Sequence, residues 1–188
     1  MSQRTQLLRI DQFRAECESW SLPDQDDLLA EYRDLIQAGE HSLERARAQG
    51  HFTASALLVD PTARSVMLLM HPKVGRWLQF GGHIEPGDDS FVAAALRECT
   101  EESGYDSTQI TGPPLAIDRH LVRCAGGISV HWDVQFLATV DRSSPRFTTE
   151  DLQTRWLAFG DEVAGVTPGL DVSVQRLISA AERRCYPH

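Results

Sequence analysis

The order of segments in this 188-residue sequence predicts an α+β or α/β fold with a mixed β-sheet. Two observations carry the prediction. Residues 1–50 have a helical pattern, whereas from residue 51 short apolar runs alternate with turn residues and two further helical stretches. We therefore expect an N-terminal helical extension over residues 1–50 and a folded domain over residues 51–188.

The N-terminal extension is predicted to contain a helix that begins near Asp24 and stops at Gly39. Acidic residues occupy its first turn, and a second short helix is expected from Ser42 to Gln49. The pattern favours a helical pair that covers one side of the core, and the alternative is a lid or a contact in a homodimer. The first helix has one apolar face with three- and four-residue steps, formed by Leu28, Leu29, Tyr32, Leu35 and Ile36.

Strands are predicted where apolar and β-branched residues run between turn signals. Asp60-Pro61-Thr62 and Gly126-Gly127 supply two of the turns. A helix over Ser90–Glu102, stopped by Gly104, and a terminal helix over Asp171–Arg183 should accompany the sheet. The strands are expected at residues 53–59, 65–70, 77–80, near 115–123, and at 129–140 and 155–159.

Composition and charge narrow the function classes. The formal net charge of −9 argues against broad contact with a nucleic-acid backbone. The sequence has no apolar run that could span a membrane, and its first residues do not resemble a signal peptide. The cysteines at 17, 99, 124 and 185 have no paired spacing, which predicts reduced thiols and neither a zinc site nor a disulfide framework. We therefore expect a cytoplasmic protein, and the charge remains compatible with a small phosphorylated ligand held through a metal.

Three glutamates crowd a few turns of the predicted helix that follows Gly81 and Gly82. Glu98, Glu101 and Glu102 fall within an arc of about 100° on a helical wheel. Each like-charge pair at this spacing costs roughly 0.2–0.5 kcal/mol, so a cation is expected beside them. Carboxylate oxygens gathered at one point suit Mg²⁺ or Mn²⁺. A backbone carbonyl of the glycine pair could complete the metal shell.

The helical segment RECTEESG at residues 97–104 resembles the Nudix box, whose R-E-x-x-E-E-x-G pattern it matches at every defined position. Cys99 stands where an aliphatic residue is usual. The first acid of the box is an aspartate, Asp88 or Asp89, in a loop that carries one extra residue. The resemblance covers about residues 51–183 and implies an α+β fold, an α/β/α sandwich with a Nudix-like mixed sheet between helices.

By this resemblance, Glu98 and Glu102 would be the main ligands of a Mg²⁺ ion, with Mn²⁺ as a possible substitute. Glu101 would be a further ligand or would act on the attacking water, and Gly82 would offer its carbonyl oxygen. Arg97 would connect the first acid of the box with the glutamates.

The resemblance leaves the general base open between Glu101 and Glu150, the latter in a loop before the late strand, with Asp151 beside it. The reaction would be metal-assisted attack of water on a phosphoanhydride bond. Its substrate would be a nucleoside diphosphate linked to another group. A Nudix-fold sensor that binds such a ligand without cutting it is the alternative, and the intact set of glutamates favours the enzyme.

Two histidine positions have alternative interpretations. His83 contacts a substrate phosphate or simply caps the loop after the glycine pair. The segment His131-Trp132-Asp133 could stack on a base, but the pattern favours an alternating strand with one buried aromatic residue.

Overall fold

A computed structural model describes residues 3–22, 24–45, 47, 49–124, 127–147, 152–161 and 170–187. Within these ranges an eight-stranded mixed sheet lies between helices on both faces. The predicted α+β fold class is therefore confirmed. No helix in this part of the chain is both long and apolar enough to cross a membrane.

The described ranges contain four α-helices and one 3₁₀ turn. The helices are α1 (Gln3–Ser19), α2 (Asp26–Ile36), α3 (Phe91–Ser103) and α4 (Val172–Cys185), and the 3₁₀ turn covers Gly39–Ser42. The strands are β1 (His51–Asp60), β2 (Ser65–His71), β3 (Arg76–Leu78), β4 (Phe80–His83), β5 (Gln109–Ile110), β6 (Ala116–Cys124), β7 (Gly127–Thr139) and β8 (Thr154–Ala158).

Strand β1 is the centre of the sheet. It pairs in parallel with β7 along one edge, and antiparallel with β4 and then β2 along the other. Strand β6 pairs with the far side of β7, and β3 and β8 pair with β2. Every residue of β1 is buried because helices cover both faces of the sheet. Strand β1 therefore has β4 on one side and β7 on the other.

The two faces of the sheet pack against different helices because successive strand residues point to opposite sides. On one face, Phe13 of α1 and Tyr32 of α2 share a core with Phe52 and with Phe91 of α3. On the other face, α4 packs over Leu57 and neighbouring aliphatic residues. The packing of α1 and α2 agrees with the interpretation of a helical pair that covers one side of the core. The lid and homodimer alternatives stay predictions.

The predicted helix from Ser42 to Gln49 is wrong. A 3₁₀ turn ends at Ser42, and the described residues from 43 to 49 form turns. Among the described residues from 43 to 49 only Leu43 is buried, whereas Glu44, Arg45 and Gln49 are exposed, so these residues provide no continuous buried face for a helix. The Ser42 hydroxyl instead donates a hydrogen bond to the carbonyl of Gly39, at 2.7 Å, and closes the 3₁₀ turn.

Candidate functional site

Helix α3 has well-defined ends. The Ser90 side chain accepts a hydrogen bond from the backbone N–H of Ala93 at 3.0 Å, and Gly104 ends the helix in the left-handed conformation, with φ of 76°. Both features were expected from the sequence, since serine is a favoured N-cap and glycine adopts positive φ without strain. Phe91 and Cys99 belong to the buried side of the helix. The remaining side carries the acidic residues.

Arg97 connects the acidic loop before α3 with the glutamates of the helix. Its Nε and Nη2 atoms each lie 3.0 Å from an oxygen of Asp88, in a bidentate pair. Its Nη1 atom lies 2.9 Å from Glu98 Oε1 and 3.3 Å from Glu101 Oε2, and Nη2 also donates to the backbone carbonyl of His83 at 2.9 Å. Hydrogen bonding to Asp88 is the main cause of a raised pKa for Arg97. The guanidinium thus orients the carboxylates around it.

Asp88 rather than Asp89 is the acid that pairs with Arg97, although the sequence left the two open. Asp88 is buried and Asp89 is exposed. The Asp88 carboxylate also accepts the backbone N–H of Glu85 at 2.7 Å, and the Asp88 N–H donates to the Glu85 carbonyl at 3.0 Å. These two hydrogen bonds close a turn over residues 85–88. The additional residue of the loop therefore lies between Asp88 and the N-cap of α3.

The glycine pair lies directly against the glutamates of α3. A Cβ atom placed on Gly82 would be 2.5 Å from Glu98 Oε1, so any side chain there would displace the carboxylate. The backbone N–H of Gly81 donates a hydrogen bond to Glu102 Oε2 at 3.0 Å. The carboxylates of Glu98 and Glu102, two of the three that the sequence groups together, therefore converge on one stretch of backbone.

The glutamates differ in their exposure. The Glu98 side chain is 16% exposed, whereas that of Glu101 is 55% exposed. Burial raises the pKa of Glu98, and the hydrogen bond from Arg97 opposes this effect. A buried carboxylate with one cationic neighbour favours a second positive charge close to it. Glu101 is open to solvent and is therefore accessible to a water molecule.

The N-terminal helix contributes to this site, which the sequence pattern did not predict. Arg9 donates from Nε to the carbonyl of Asp88 and from Nη2 to the carbonyl of Glu85, both at 2.7 Å. The Glu16 carboxylate accepts the backbone N–H of Phe91 at 2.6 Å, at the N-terminus of α3. A negative charge at a helix N-terminus is stabilising. Helix α1 thus holds the loop and the helix that carry the acidic residues.

The second candidate for the general base cannot be placed. Glu150 and Asp151 lie outside the described residues, as do Thr148 and Thr149. Of the two candidates only Glu101 has a described position, so the choice between Glu101 and Glu150 stays a prediction.

A group of three histidines, which the sequence analysis did not assemble, lies on the other face of the sheet. We call His51, His83 and His131 the histidine cluster. Their ring centroids are 4.9–5.1 Å apart. His51 of β1 is directly opposite His131 of β7, and His83 of β4 is opposite Thr53, two residues further along β1. Because Gly82 faces Glu98, the next residue, His83, faces the opposite side of the sheet.

The histidine cluster consists of uncharged rings at neutral pH. Burial lowers the pKa of His51, brings that of His83 to about 4 and that of His131 to about 3. Arg45 adds to the effect at His83, and the His83 ring adds to it at His131. The sequence signal for this cluster is that His51 and His131 each precede polar residues at every second position of a strand.

A buried carboxylate continues this polar face of the sheet. Asp133 lies two residues after His131, and its oxygens accept hydrogen bonds from the Thr53 hydroxyl at 2.9 Å and the Ser55 hydroxyl at 2.7 Å. The Gln135 amide donates to the same carboxylate at 3.2 Å. The sheet therefore presents histidines and then an acidic, hydrogen-bonded patch on the face opposite α3. An ordinary hydrophobic alternation would have placed apolar side chains here.

Comparison with known proteins gives one family and a shared fold. The model of the NUDIX domain matches residues 50–173, well over half of the chain. No curated relative matches the sequence significantly. A Nudix-family hydrolase from Clostridium perfringens is 21% identical, with a TM-score of 0.52, over 70% of this chain and 94% of its own.

Two further solved structures resemble this chain. The Nudix domain of NrtR from Shewanella oneidensis, complexed with ADP-ribose, is 23% identical over 74% of this chain and 90% of its own, with a TM-score of 0.53. A UDP-X diphosphatase is 15% identical over 99% of this chain and 98% of its own, with a TM-score of 0.53. Identities this low establish a shared fold. The family match and the R-E-x-x-E-E-x-G segment, most of it on α3, together show that this chain belongs to the Nudix family, as a Nudix-type pyrophosphohydrolase.

Proposed function

We propose that this chain hydrolyses a phosphoanhydride bond in a nucleoside diphosphate linked to another group, with Mg²⁺ bound by the acidic residues of α3. The observation that carries the proposal is the convergence of Glu98 and Glu102 on the Gly81-Gly82 backbone, with Arg97 beside them. An acidic helix face without a ligand would spread its carboxylates into solvent. Here Glu98 is instead largely buried against Gly82, where no side chain would fit.

The donor set fits a hard divalent cation. Glu98 and Glu102 would be its main protein ligands, with Glu101 and the Gly82 carbonyl as further donors, and all of these are oxygens. Manganese accepts the same donors and could substitute. When bound, the ion would neutralise charge that develops on the phosphate oxygens and lower the pKa of a coordinated water.

The residues of the chain would divide the remaining work. Arg97 would hold Glu98 and the loop carboxylate of Asp88 in fixed orientations through its planar fork. Either Glu101 or Glu150 would accept a proton as the oxygen of water bonds to phosphorus and the bridging oxygen of the anhydride leaves. A carboxylate that binds the metal is a poorer base, which favours a separate acid for the proton.

Two structural neighbours motivate the substrate class. One was solved with ADP-ribose, and another is a UDP-X diphosphatase whose similarity extends over nearly the whole of this chain. Both concern a nucleoside diphosphate joined to a further group. The identity of the nucleoside and of the attached group is a matter for experiment.

A substrate screen tests the proposal. The protein would be incubated with ADP-ribose, nucleotide sugars, dinucleoside polyphosphates, oxidised nucleoside triphosphates and coenzyme A, in Mg²⁺ or Mn²⁺. Product analysis in ¹⁸O-labelled water would identify the cleaved bond. Turnover that needs the metal and is lost in Glu98→Gln is expected. Tight binding of a nucleotide with no turnover of any of these compounds would instead support the sensor alternative.

A further inference from the structure

The histidine cluster has the geometry of an incomplete coordination shell. His51, His83 and His131 each offer one ring nitrogen such that these atoms all lie within 4.8 Å of one another. In a tetrahedral site with metal–nitrogen distances of about 2.0 Å, the ligand atoms are about 3.3 Å apart. The His83 and His131 rings are only partly buried, so small side-chain rotations would bring their nitrogens to that separation.

Ring nitrogens of His51 and His131 also lack partners that a folded protein normally supplies. Nε2 of His131 has no hydrogen-bond partner among the described residues, and the completely buried ring of His51 has at most one, the backbone of Arg47. Buried polar atoms are nearly always paired, and an exception indicates a role or a missing ligand. A metal ion would supply the partner that His51 and His131 lack.

The backbone holds the three rings on a rigid support. They stand on β4, β1 and β7, which are adjacent strands of the sheet, and the register places His51 directly opposite His131. Sites built on strands maintain their geometry better than sites built on loops. No large rearrangement is needed to assemble them.

The donor chemistry selects a different ion from the one proposed for α3. The cluster offers neutral imidazoles, which suit Zn²⁺ and neighbouring first-row transition metals, whereas Mg²⁺ prefers oxygen. Next to His131 is His120, at a centroid distance of 5.7 Å, and its Nδ1 atom lies 2.7 Å from Asp118 Oδ2. The carboxylate of Asp133 adds negative charge to the same face.

We propose that His51, His83 and His131 form a binding site for a divalent transition-metal ion of the Zn²⁺ type, separate from the oxygen site on α3. The site takes three imidazole nitrogens and leaves a fourth position for water or an exogenous ligand. It lies on the opposite face of the sheet from Glu98, and adjacent residues of β4, Gly82 and His83, connect the two.

Metal binding to the tag-free 188-residue chain tests this proposal. After treatment with chelator, Zn²⁺ alone would be titrated against a chromophoric competitor, and Co²⁺ would be used as a spectroscopic probe of tetrahedral coordination. We expect His131→Asn to weaken Zn²⁺ binding by more than about tenfold, since loss of even a supporting residue costs 10–100-fold. The exposed His41→Asn, which removes an imidazole elsewhere, is the matched control and should bind as the wild type does.

A second pair of measurements separates the two sites. Glu98→Gln should retain the Zn²⁺ affinity and the tetrahedral Co²⁺ spectrum, whereas His131→Asn should retain the rise in melting temperature that Mg²⁺ causes. Retention of the Mg²⁺ effect also shows that the histidine variant is folded. X-ray absorption at the zinc edge of the wild type gives a test that needs no variant, because imidazole ligands have a distinctive scattering pattern.

Three results would overturn the proposal. They are wild-type Zn²⁺ affinity in His131→Asn, loss of all Zn²⁺ binding in Glu98→Gln, and an absorption spectrum with oxygen ligands alone. Each would leave the histidine cluster as a set of buried uncharged rings. The Mg²⁺-dependent hydrolysis proposed above is tested by the substrate screen, so either proposal can fail while the other stands.

Discussion

Replacement of Arg97 by lysine tests the arrangement of the acidic site most directly. Arg97 makes a bidentate pair with Asp88, both distances being 3.0 Å, and donates to the carbonyl of His83 at 2.9 Å. A lysine ammonium is a single point of charge and cannot form that fork. Arg97→Lys keeps the charge but would lose one hydrogen bond to Asp88 and the one to His83.

The expected loss in the free energy of unfolding follows from the burial of the groups that Arg97 contacts. A hydrogen bond that involves a charged group contributes about 1.5–3 kcal/mol. The Asp88 side chain is 5% exposed, so water replaces the lost contact poorly, whereas the His83 carbonyl is nearer to solvent. We expect the free energy of unfolding to fall by about 2–3 kcal/mol, and the melting temperature by about 5–10 °C for a chain of this size.

Urea unfolding followed by circular dichroism, without added metal, measures this change. The matched control is Arg76→Lys, because Arg76 forms an exposed pair with Asp171 at 2.8 Å and such pairs contribute about 0–1 kcal/mol. We also expect Arg97→Lys to lower activity on a confirmed substrate. An unfolding free energy equal to that of the control variant would refute the reasoning, because the fork would then contribute nothing beyond its charge.

Four other predictions address the site and the fold. Gly82→Ala should abolish the Mg²⁺-induced rise in melting temperature, because its Cβ would lie 2.5 Å from the Glu98 carboxylate, whereas Gly87→Ala, with nothing within 4 Å of the new methyl, should keep it. Glu98→Gln should likewise remove the Mg²⁺ effect while leaving the metal-free protein folded, and an unchanged effect would contradict the ligand role. Glu150→Gln should reduce kcat by about 10²–10⁴-fold with little change in metal affinity, and a kcat within a few-fold of the wild type would return the role to α3. Phe13→Ala should lower the free energy of unfolding by about 3–5 kcal/mol, because this ring is completely buried; a mobile lid would leave the unfolding curve unchanged.

The acidic site was predictable because its information is local. Glu98, Glu101 and Glu102 share one face of a helix through their spacing alone, and the serine and glycine at the ends of that helix are standard signals. The same reasoning failed at residues 42–49. A helical composition is not sufficient there, because among the described residues only Leu43 is buried and most helical stability comes from packing of a buried face. Which residues become buried depends on how the rest of the chain packs against them.

The sequence by itself determined the family, the α+β class and the set of acidic residues on α3, because periodicity and motif spacing act over a few residues. Only the tertiary structure decided that Asp88 is the partner of Arg97, since a loop with an additional residue can present either aspartate. It also brought together His51, His83 and His131, which are far apart in the chain. Their proximity follows from the register of three neighbouring strands, and register is set by packing across the whole sheet rather than by any local pattern.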